Sequence, residues 1–125
     1  MVSFYLRQNP KVIKNVQDMV LSNANILVSP IAYYEVKRGL MAIKAEKRLK
    51  EFTALCETLS VGQLDNSILD LGSEIYCETR AKQWNLDDAD ILTAAYCKAH
   101  NFTLVTNNTK HFEIISGLQY CDWSI

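Results

Sequence analysis

The sequence predicts an α/β domain in which helices alternate with short buried strands. Apolar residues recur at helical spacing in several segments. Between these segments lie short apolar runs, Ile26 to Val28 and Phe102 to Val105, which are bounded by polar residues. Such runs are typical of strands that are buried on both faces of a parallel sheet. The alternation of the two kinds of segment predicts a parallel sheet covered by helices on both faces.

Length and composition indicate a single globular domain over residues 1–125. Apolar residues make up 49% of the chain and charged residues 22%, which is close to the average for globular proteins. No run approaches the roughly 20 apolar residues of a membrane span, and no basic-then-apolar signal segment opens the chain. We therefore expect a cytoplasmic protein with no membrane partner. Because the formal net charge is −1, any nucleic acid would have to bind a local patch.

The first half of the chain predicts two capped helices around a strand. Asn9-Pro10 is a cap followed by proline, and its helix should run to about Ser22. Its predicted buried stripe is Val12, Ile13, Val16, Met19 and Val20. After the strand at 26–28, Ser29-Pro30 repeats the same start signal and places Glu35 in an early helical turn.

A third helical pattern extends from Ile43 to Leu59, and a short strand is possible at 59–61. Gly39, which lies before this pattern in a helix interior, suggests close packing or a bend. The basic residues of this region form either a solvated face or a contact for phosphates. They are Lys44, Lys47, Arg48 and Lys50.

The second half predicts two helices and two strands. Asn66 should cap a helix that ends near Trp84-Asn85. An acidic cluster of Asp87, Asp88 and Asp90 opens the next helix, the strand at 102–105 follows, and a loose alternation at 118–123 predicts a final strand.

Candidate functional residues follow from this order. Ligands of open parallel sheets bind outside the carboxyl ends of the strands, where Glu35, Asp90, Asn107 and Asn108 are expected. Carboxylates from separate segments suit a hard cation such as Mg²⁺. Purely structural alternatives remain open: the aspartates suit a helix N-terminus, and Glu35 can pair with a basic residue such as Arg38.

Other site chemistries find little support. The four cysteines at 56, 77, 97 and 121 have no C-x-x-C spacing and fall in apolar patterns, so we interpret them as reduced core thiols. Neither His100 nor His111 lies near a Ser or Cys in an arrangement that suggests a nucleophile with its base. No Gly-rich phosphate loop follows a strand, which argues against a flavodoxin-like nucleotide domain.

Three segments resemble the PIN-domain ribonucleases, specifically the VapC-like toxins of bacterial toxin–antitoxin pairs. The segments are VSFYLRQNPKVI at 2–13, VSPIAYYEVKRGL at 28–40 and DADILTAAYCKAHNFTLVTNNTKHFEIISGLQYCDW at 88–123. The resemblance implies a three-layer α/β/α PIN-like domain whose acidic residues bind Mg²⁺ or Mn²⁺ and which cleaves RNA as a metal-dependent endoribonuclease. It also implies a cognate antitoxin as partner and a homodimer.

The resemblance extends to individual residues. It implies that Glu35, Asp90 and Asn108 are catalytic, and that Asp88 joins Glu35 and Asp90 as a metal ligand. Arg38, Lys44, Lys47 and Arg48 are the expected contacts for RNA.

The family pattern begins with a central strand that ends in Leu-Asp-Thr-Asn and carries a principal metal-binding aspartate. Met1 stands about where the residue after that asparagine would be, so we expect the chain to lack this strand and its ligand. An in-frame upstream segment would supply both. The alternative is a catalytically inactive PIN-like interaction module.

Overall fold

The computed structural model describes residues 1–125 and contains seven helices and two strands. The helices are α1 (Val2–Leu6), α2 (Pro10–Leu21), α3 (Pro30–Ala42), α4 (Glu46–Leu59), α5 (Asn66–Ala81), α6 (Asp88–Ala99) and α7 (Thr109–Phe112). The strands are β1 (Thr103–Val105) and β2 (Gln119–Cys121). The chain divides into two compact units, residues 1–63 with 123–125 (unit 1) and residues 64–122 (unit 2). None of the helices is both long and apolar enough to span a membrane.

The core of unit 1 joins α1, α3 and α4. Leu6, Leu40 and Phe52 are each at most 9% exposed and form one cluster. Partly buried apolar residues of the same three helices pack against it, among them Tyr33. The ring centroids of Tyr33 and Phe52 lie 5.8 Å apart, a separation typical of favourable aromatic pairs. Helix α1 was not predicted, because five residues are too few to show helical periodicity.

The predicted caps of α2 and α3 are confirmed. The Asn9 side chain accepts hydrogen bonds from the backbone N–H groups of Lys11 and Val12 at 3.0 and 3.2 Å. The Ser29 hydroxyl accepts from the N–H of Ile31 at 3.2 Å. Each cap therefore satisfies backbone donors that have no partner within the helix.

The predicted burial of α2 is only partly correct. Val12 is 1% exposed, whereas Met19 is 37% and Val20 40% exposed. Periodicity identifies the apolar face of a helix, but it does not tell how far along the helix another element covers that face. The carboxyl-terminal half of α2 therefore presents apolar side chains to solvent.

The prediction that a helix begins at Ile43 is wrong. Ile43 follows α3 as its C-cap, and Lys44 adopts a left-handed conformation with φ of 54°. Helix α4 then begins at Glu46. The apolar pattern nevertheless continues through the turn, because Ala45 packs on the unit 1 core.

Strand pairing in unit 1 is limited to one parallel bridge between Val28 and Val61. The N–H of Val28 donates to the carbonyl of Ser60, and the N–H of Gly62 donates to the carbonyl of Val28, both at 2.9 Å. The apolar runs at 26–28 and 59–61, each predicted as a strand, thus meet over a single residue pair.

Unit 2 combines the α5–α6 pair with a two-stranded parallel sheet. Strand β1 pairs with β2 in the register Thr103 to Gln119. Helix α5 is capped by Asp65, whose carboxylate accepts from the N–H of Ile68 at 3.0 Å, so the prediction of an Asn66 cap is off by one residue. The helix also ends earlier than expected, at Ala81. Helices and parallel strands together confirm the α/β class.

The two helical glycines have opposite surroundings. A Cβ added to Gly72 would lie 3.2 Å from the Leu92 side chain and 3.8 Å from Ala95, so α5 and α6 approach closely there. A Cβ added to Gly39 would meet nothing within 4 Å. The sequence-based suggestion of close packing at Gly39 is therefore wrong.

We expect Gly39→Ala to raise the free energy of unfolding by about 0.5–1 kcal/mol, because alanine loses less backbone entropy in a helix and has room here. Gly72→Leu should lower it by about 1–3 kcal/mol, because the larger side chain must push α5 and α6 apart. Urea unfolding of both variants and the parent measures the two changes. Equal effects at the two glycines would contradict the difference in packing.

Candidate active site

Asp90 lies in the first turn of α6, in unit 2. The cap of this helix is Asp87, whose carboxylate accepts a hydrogen bond from the N–H of Asp90 at 2.9 Å. The structural role proposed for the acidic cluster is therefore present at Asp87. Asp90 lies in the same first turn, where a negative charge also suits the positive end of the helix dipole, but its carboxylate does not cap the helix and instead contacts His111.

The Asp90 carboxylate contacts His111, which lies 21 residues later on α7. The distance between Asp90 Oδ2 and His111 Nδ1 is 3.2 Å. The Asp90 side chain is 27% exposed and the imidazole is 55% exposed. The pair therefore lies at the surface, with its carboxylate partly withdrawn from water.

Helix α7 is held in place by its neighbouring residues. Phe112 is 3% exposed and anchors the turn. The N–H of Asn108 donates to the Thr106 hydroxyl at 3.0 Å, and the N–H of His111 donates to the Asn108 carbonyl at 3.0 Å. Thr106 follows β1 and is itself bonded to β2 through the Cys121 carbonyl at 2.9 Å. The sheet thus positions the imidazole.

Burial raises the pKa of the Asp90 carboxyl group above its usual value, and the nearby Asp87 carboxylate raises it further. The His111 contact lowers the pKa but does not cancel the effect of burial. The ionised form of Asp90 is therefore incompletely stabilised by the protein, which is a feature of many functional carboxylates.

The Asp90–His111 pair fits a divalent cation. Two ligand atoms that are each about 2.1 Å from an octahedral ion and at a right angle are about 3.0 Å apart, close to the observed 3.2 Å. Added positive charge would also stabilise the ionised Asp90. Within neither unit does a third His, Cys, Asp or Glu join such a cluster.

The remaining predicted site residues of unit 2 are exposed. Asp88 lies in the first turn of α6, where a negative charge suits the positive end of the helix dipole. Asn108 is the residue that precedes α7, and its side chain makes no capping hydrogen bond there. Its amide is available to a ligand, whereas the position of Asp88 is accounted for by helix stability.

Glu35 lies on α3 in unit 1. Arg38 Nη2 is 4.0 Å from Glu35 Oε2, and the Arg38 and Glu35 side chains are 59% and 46% exposed respectively. Such a long, exposed pair contributes little to stability. The alternative of an ion pair with Arg38 is therefore present in the structure but weak.

The basic residues expected to contact RNA are exposed in unit 1. Arg38 also lies over the Tyr34 ring, with its guanidinium carbon 4.9 Å from the ring centroid. Lys44 is in the turn between α3 and α4, and Lys47 and Arg48 are in the first turn of α4. Cations are disfavoured at a helix N-terminus, so helix stability does not explain the last two.

His111 was not recognised as a site residue in the sequence. It is far from Asp90 in the chain, and only the four-residue helix α7 brings its ring to the carboxylate.

The cysteines were interpreted correctly only in part. Cys97 is buried, which raises its thiol pKa to about 11, but Cys77 is exposed.

We expect Asp90→Asn to be more stable than the parent in EDTA at neutral pH. The pKa of Asp90 is higher in the folded than in the unfolded state, so the protonated carboxyl group stabilises the fold. This stabilisation is complete below the unfolded-state pKa of about 3.9, and it is lost as the pH rises through the folded-state pKa. Asparagine is neutral throughout, so its advantage should disappear on acidification. Thermal unfolding across pH measures this, with the exposed Asp70→Asn as control. A less stable Asp90→Asn at neutral pH would show that the His111 attraction outweighs burial.

The comparisons with known proteins agree on one family. A model of the PIN domain family matches residues 4–118. The chain is 26% identical to Ribonuclease VapC1 of Haemophilus influenzae strain R2866 over 125 residues, covering 98% of this chain and 92% of that protein. It is 34% identical to Ribonuclease VapC1 of Methanocaldococcus jannaschii over 97 residues, covering 76% and 69% of the two chains.

Solved structures give the same result. VapBC-1 from nontypeable Haemophilus influenzae is matched with a TM-score of 0.85 and 25% identity over 99% of this chain and 94% of the other. VapBC2 from Rickettsia felis, bound to a DNA fragment from its promoter, shows the same fold with a TM-score of 0.88 and 24% identity, covering 98% and 92%. The chain therefore belongs to the PIN domain family and is a VapC-like member of it.

Proposed function

We propose that this protein is a metal-dependent endoribonuclease toxin that acts in the cytoplasm and is neutralised by a cognate antitoxin. The observation that carries the proposal is the similarity to Ribonuclease VapC1, which extends over 98% of the chain. The family match at residues 4–118 runs through both units, which supports a single working domain. In unit 2 the Asp90 carboxylate, beside the His111 imidazole, is a suitable ligand for the divalent metal ion of such an enzyme.

In this proposal Asp90 is a metal ligand and Glu35 is a second essential carboxylate, with Asp88 contributing less. Bound Mg²⁺ or Mn²⁺ would stabilise the charge that develops on the phosphate oxygens and would activate water for attack. The protein would hold the Asp90 carboxylate still through the Asp87 cap of α6. The exposed amide of Asn108 would orient water or the RNA phosphate by hydrogen bonding.

RNA would be held by basic residues of unit 1. Lys47 and Arg48 are exposed at the start of α4, and Lys44 adjoins them in the preceding turn. Arg38 and Tyr34 form an exposed cation–aromatic pair on α3. Phosphate contacts of this kind would position the strand without reading its bases.

The antitoxin would occupy an apolar groove of unit 1. The groove has a volume of about 690 Å³ and is lined by α1, α2 and α4, including Tyr5, Val16, Val20, Leu21 and Leu55. The exposed carboxyl-terminal half of α2 forms one wall. An amphipathic segment of a partner could bury its apolar side chains there. The similar solved structures of VapBC proteins support an antitoxin partner. We further propose a homodimer of this chain, as the family resemblance implies.

In a chain extended by a strand that carries the family's metal-binding aspartate, Glu35→Gln and Asp90→Asn should each abolish Mg²⁺- or Mn²⁺-dependent RNA cleavage, because each removes an anionic oxygen while preserving shape. Asp88→Asn should reduce cleavage less. Single-turnover cleavage of an RNA pool, with and without EDTA, measures the effect.

The control is Asp70→Asn, which changes an exposed carboxylate on α5 and should leave cleavage at the parent rate. Metal-dependent cleavage that survives both Glu35→Gln and Asp90→Asn would contradict the proposed mechanism. A parent chain without EDTA-sensitive cleavage, but with antitoxin binding, would favour the inactive interaction module.

Val20→Asp should weaken antitoxin binding by at least about tenfold, because it places a charge where apolar side chains would be buried. Cleavage should be unchanged. The control is Leu69→Asp, which alters a similarly exposed apolar residue on α5 (43%, against 40% for Val20). Calorimetric titration with the antitoxin measures both variants. An equal loss of affinity in Val20→Asp and Leu69→Asp would show that the antitoxin does not bind specifically in this groove.

A further inference from the structure

The His111 side chain, which is not among the predicted site residues, directly contacts the Asp90 carboxylate. Its Nδ1 atom is 3.2 Å from Asp90 Oδ2. The imidazole is 55% exposed, so it is not a buried side chain that merely fills the core. Its backbone is fixed by the Asn108 carbonyl, and the adjacent Phe112 is buried. The ring is therefore presented at the surface beside the candidate metal ligand.

A simple ion pair does not explain this arrangement well. Exposed pairs of this kind contribute little to stability. The Asp90 side chain is only 27% exposed, so its carboxylate is partly withdrawn from water. A divalent cation bound to both groups would stabilise this carboxylate, because its charge is larger than that of an imidazolium and would lie close to both donor atoms.

The geometry points to His111 as a nitrogen ligand of the same cation that Asp90 binds, and we propose that it biases this site toward a transition-metal ion such as Mn²⁺ over Mg²⁺. This inference rests on the proposed metal-dependent function. The observed Nδ1–Oδ2 distance of 3.2 Å is that of a hydrogen bond, and it is also close to the roughly 3.0 Å between adjacent ligands of an octahedral ion, so an ion could replace the hydrogen bond with little movement of either group. Imidazole suits first-row transition ions such as Fe²⁺, Ni²⁺, Cu²⁺ and Zn²⁺, and Mn²⁺ is the weakest-binding member of that series, whereas Mg²⁺ prefers oxygen ligands.

The direct test is pulsed electron paramagnetic resonance of Mn²⁺ bound to the full chain, with protein in excess. A coordinated imidazole produces nitrogen modulation of the electron spin echo. The chain has two histidines, His100 and His111. Protein containing ¹⁵N-histidine should therefore show a changed modulation frequency, which attributes the signal to histidine.

Three variants assign the signal to one residue. His111→Ala should remove the modulation and weaken Mn²⁺ binding by on the order of tenfold, with a smaller effect on Mg²⁺. His111→Glu should restore Mn²⁺ binding without nitrogen modulation and should improve Mg²⁺ binding relative to Mn²⁺. His100→Ala is the matched control, since His100 stacks on Phe102 at 5.3 Å on another part of unit 2, and it should keep the modulation.

The outcomes separate this inference from the proposed function. Mn²⁺ binding that is lost in Asp90→Asn but shows no nitrogen modulation would overturn the role of His111 and leave the proposed function standing. Modulation that persists in His111→Ala would also overturn that role. Mn²⁺ binding that does not depend on Asp90 would overturn both.

Discussion

The close approach of α5 and α6 at Gly72 determines how unit 2 is built. A side chain there would meet Leu92 and Ala95, so the absence of one lets the two helices pack closely. A small residue on α6 contributes to this contact, since Ala95 lies at Gly72 and is fully buried. The position of α6 then sets the location of its first turn, and with it the Asp90 carboxylate. A packing constraint on one helix thus places a charged group at the start of the next.

Stability and chemistry compete at that first turn. Asp87 stabilises the helix by capping it, but its charge lies near Asp90 and disfavours a second ionised carboxylate. Natural proteins retain such unfavourable electrostatics mainly where function requires them. The same contrast is seen in unit 1, where Lys47 and Arg48 lie at the helix end that disfavours cations. Both features identify positions at which folding alone would favour other residues.

The sequence predicted the features that depend on a few adjacent residues, namely helix caps and a short strand. The caps at Asn9 and Ser29 depend on a few adjacent residues, and both were found where expected. The strand at 103–105 was also predictable, because a short, β-rich apolar run between polar residues is too short for a helix and suits a buried strand. The resemblance to PIN-domain ribonucleases was confirmed by the family match over residues 4–118.

Contacts between segments that are distant in the chain were harder to predict from the sequence. The turn at Lys44 interrupts a continuous apolar pattern, and the exposure of Val20 depends on how much of α2 other elements cover. The contact between Asp90 and His111 joins segments 21 residues apart, and it requires the correct placement of one short helical turn. Periodicity carries no information about such a pairing.

The exposure of His111 makes residue 111 a position that evolution can change easily. More than half of its side chain faces water, and the fold of α7 relies on the buried Phe112 rather than on the imidazole. A single codon change there would alter the donor atom beside Asp90 while leaving the core intact. On the proposal that His111 is a metal ligand, lineages that encounter different metal supplies would diverge in ion preference without passing through unstable intermediates.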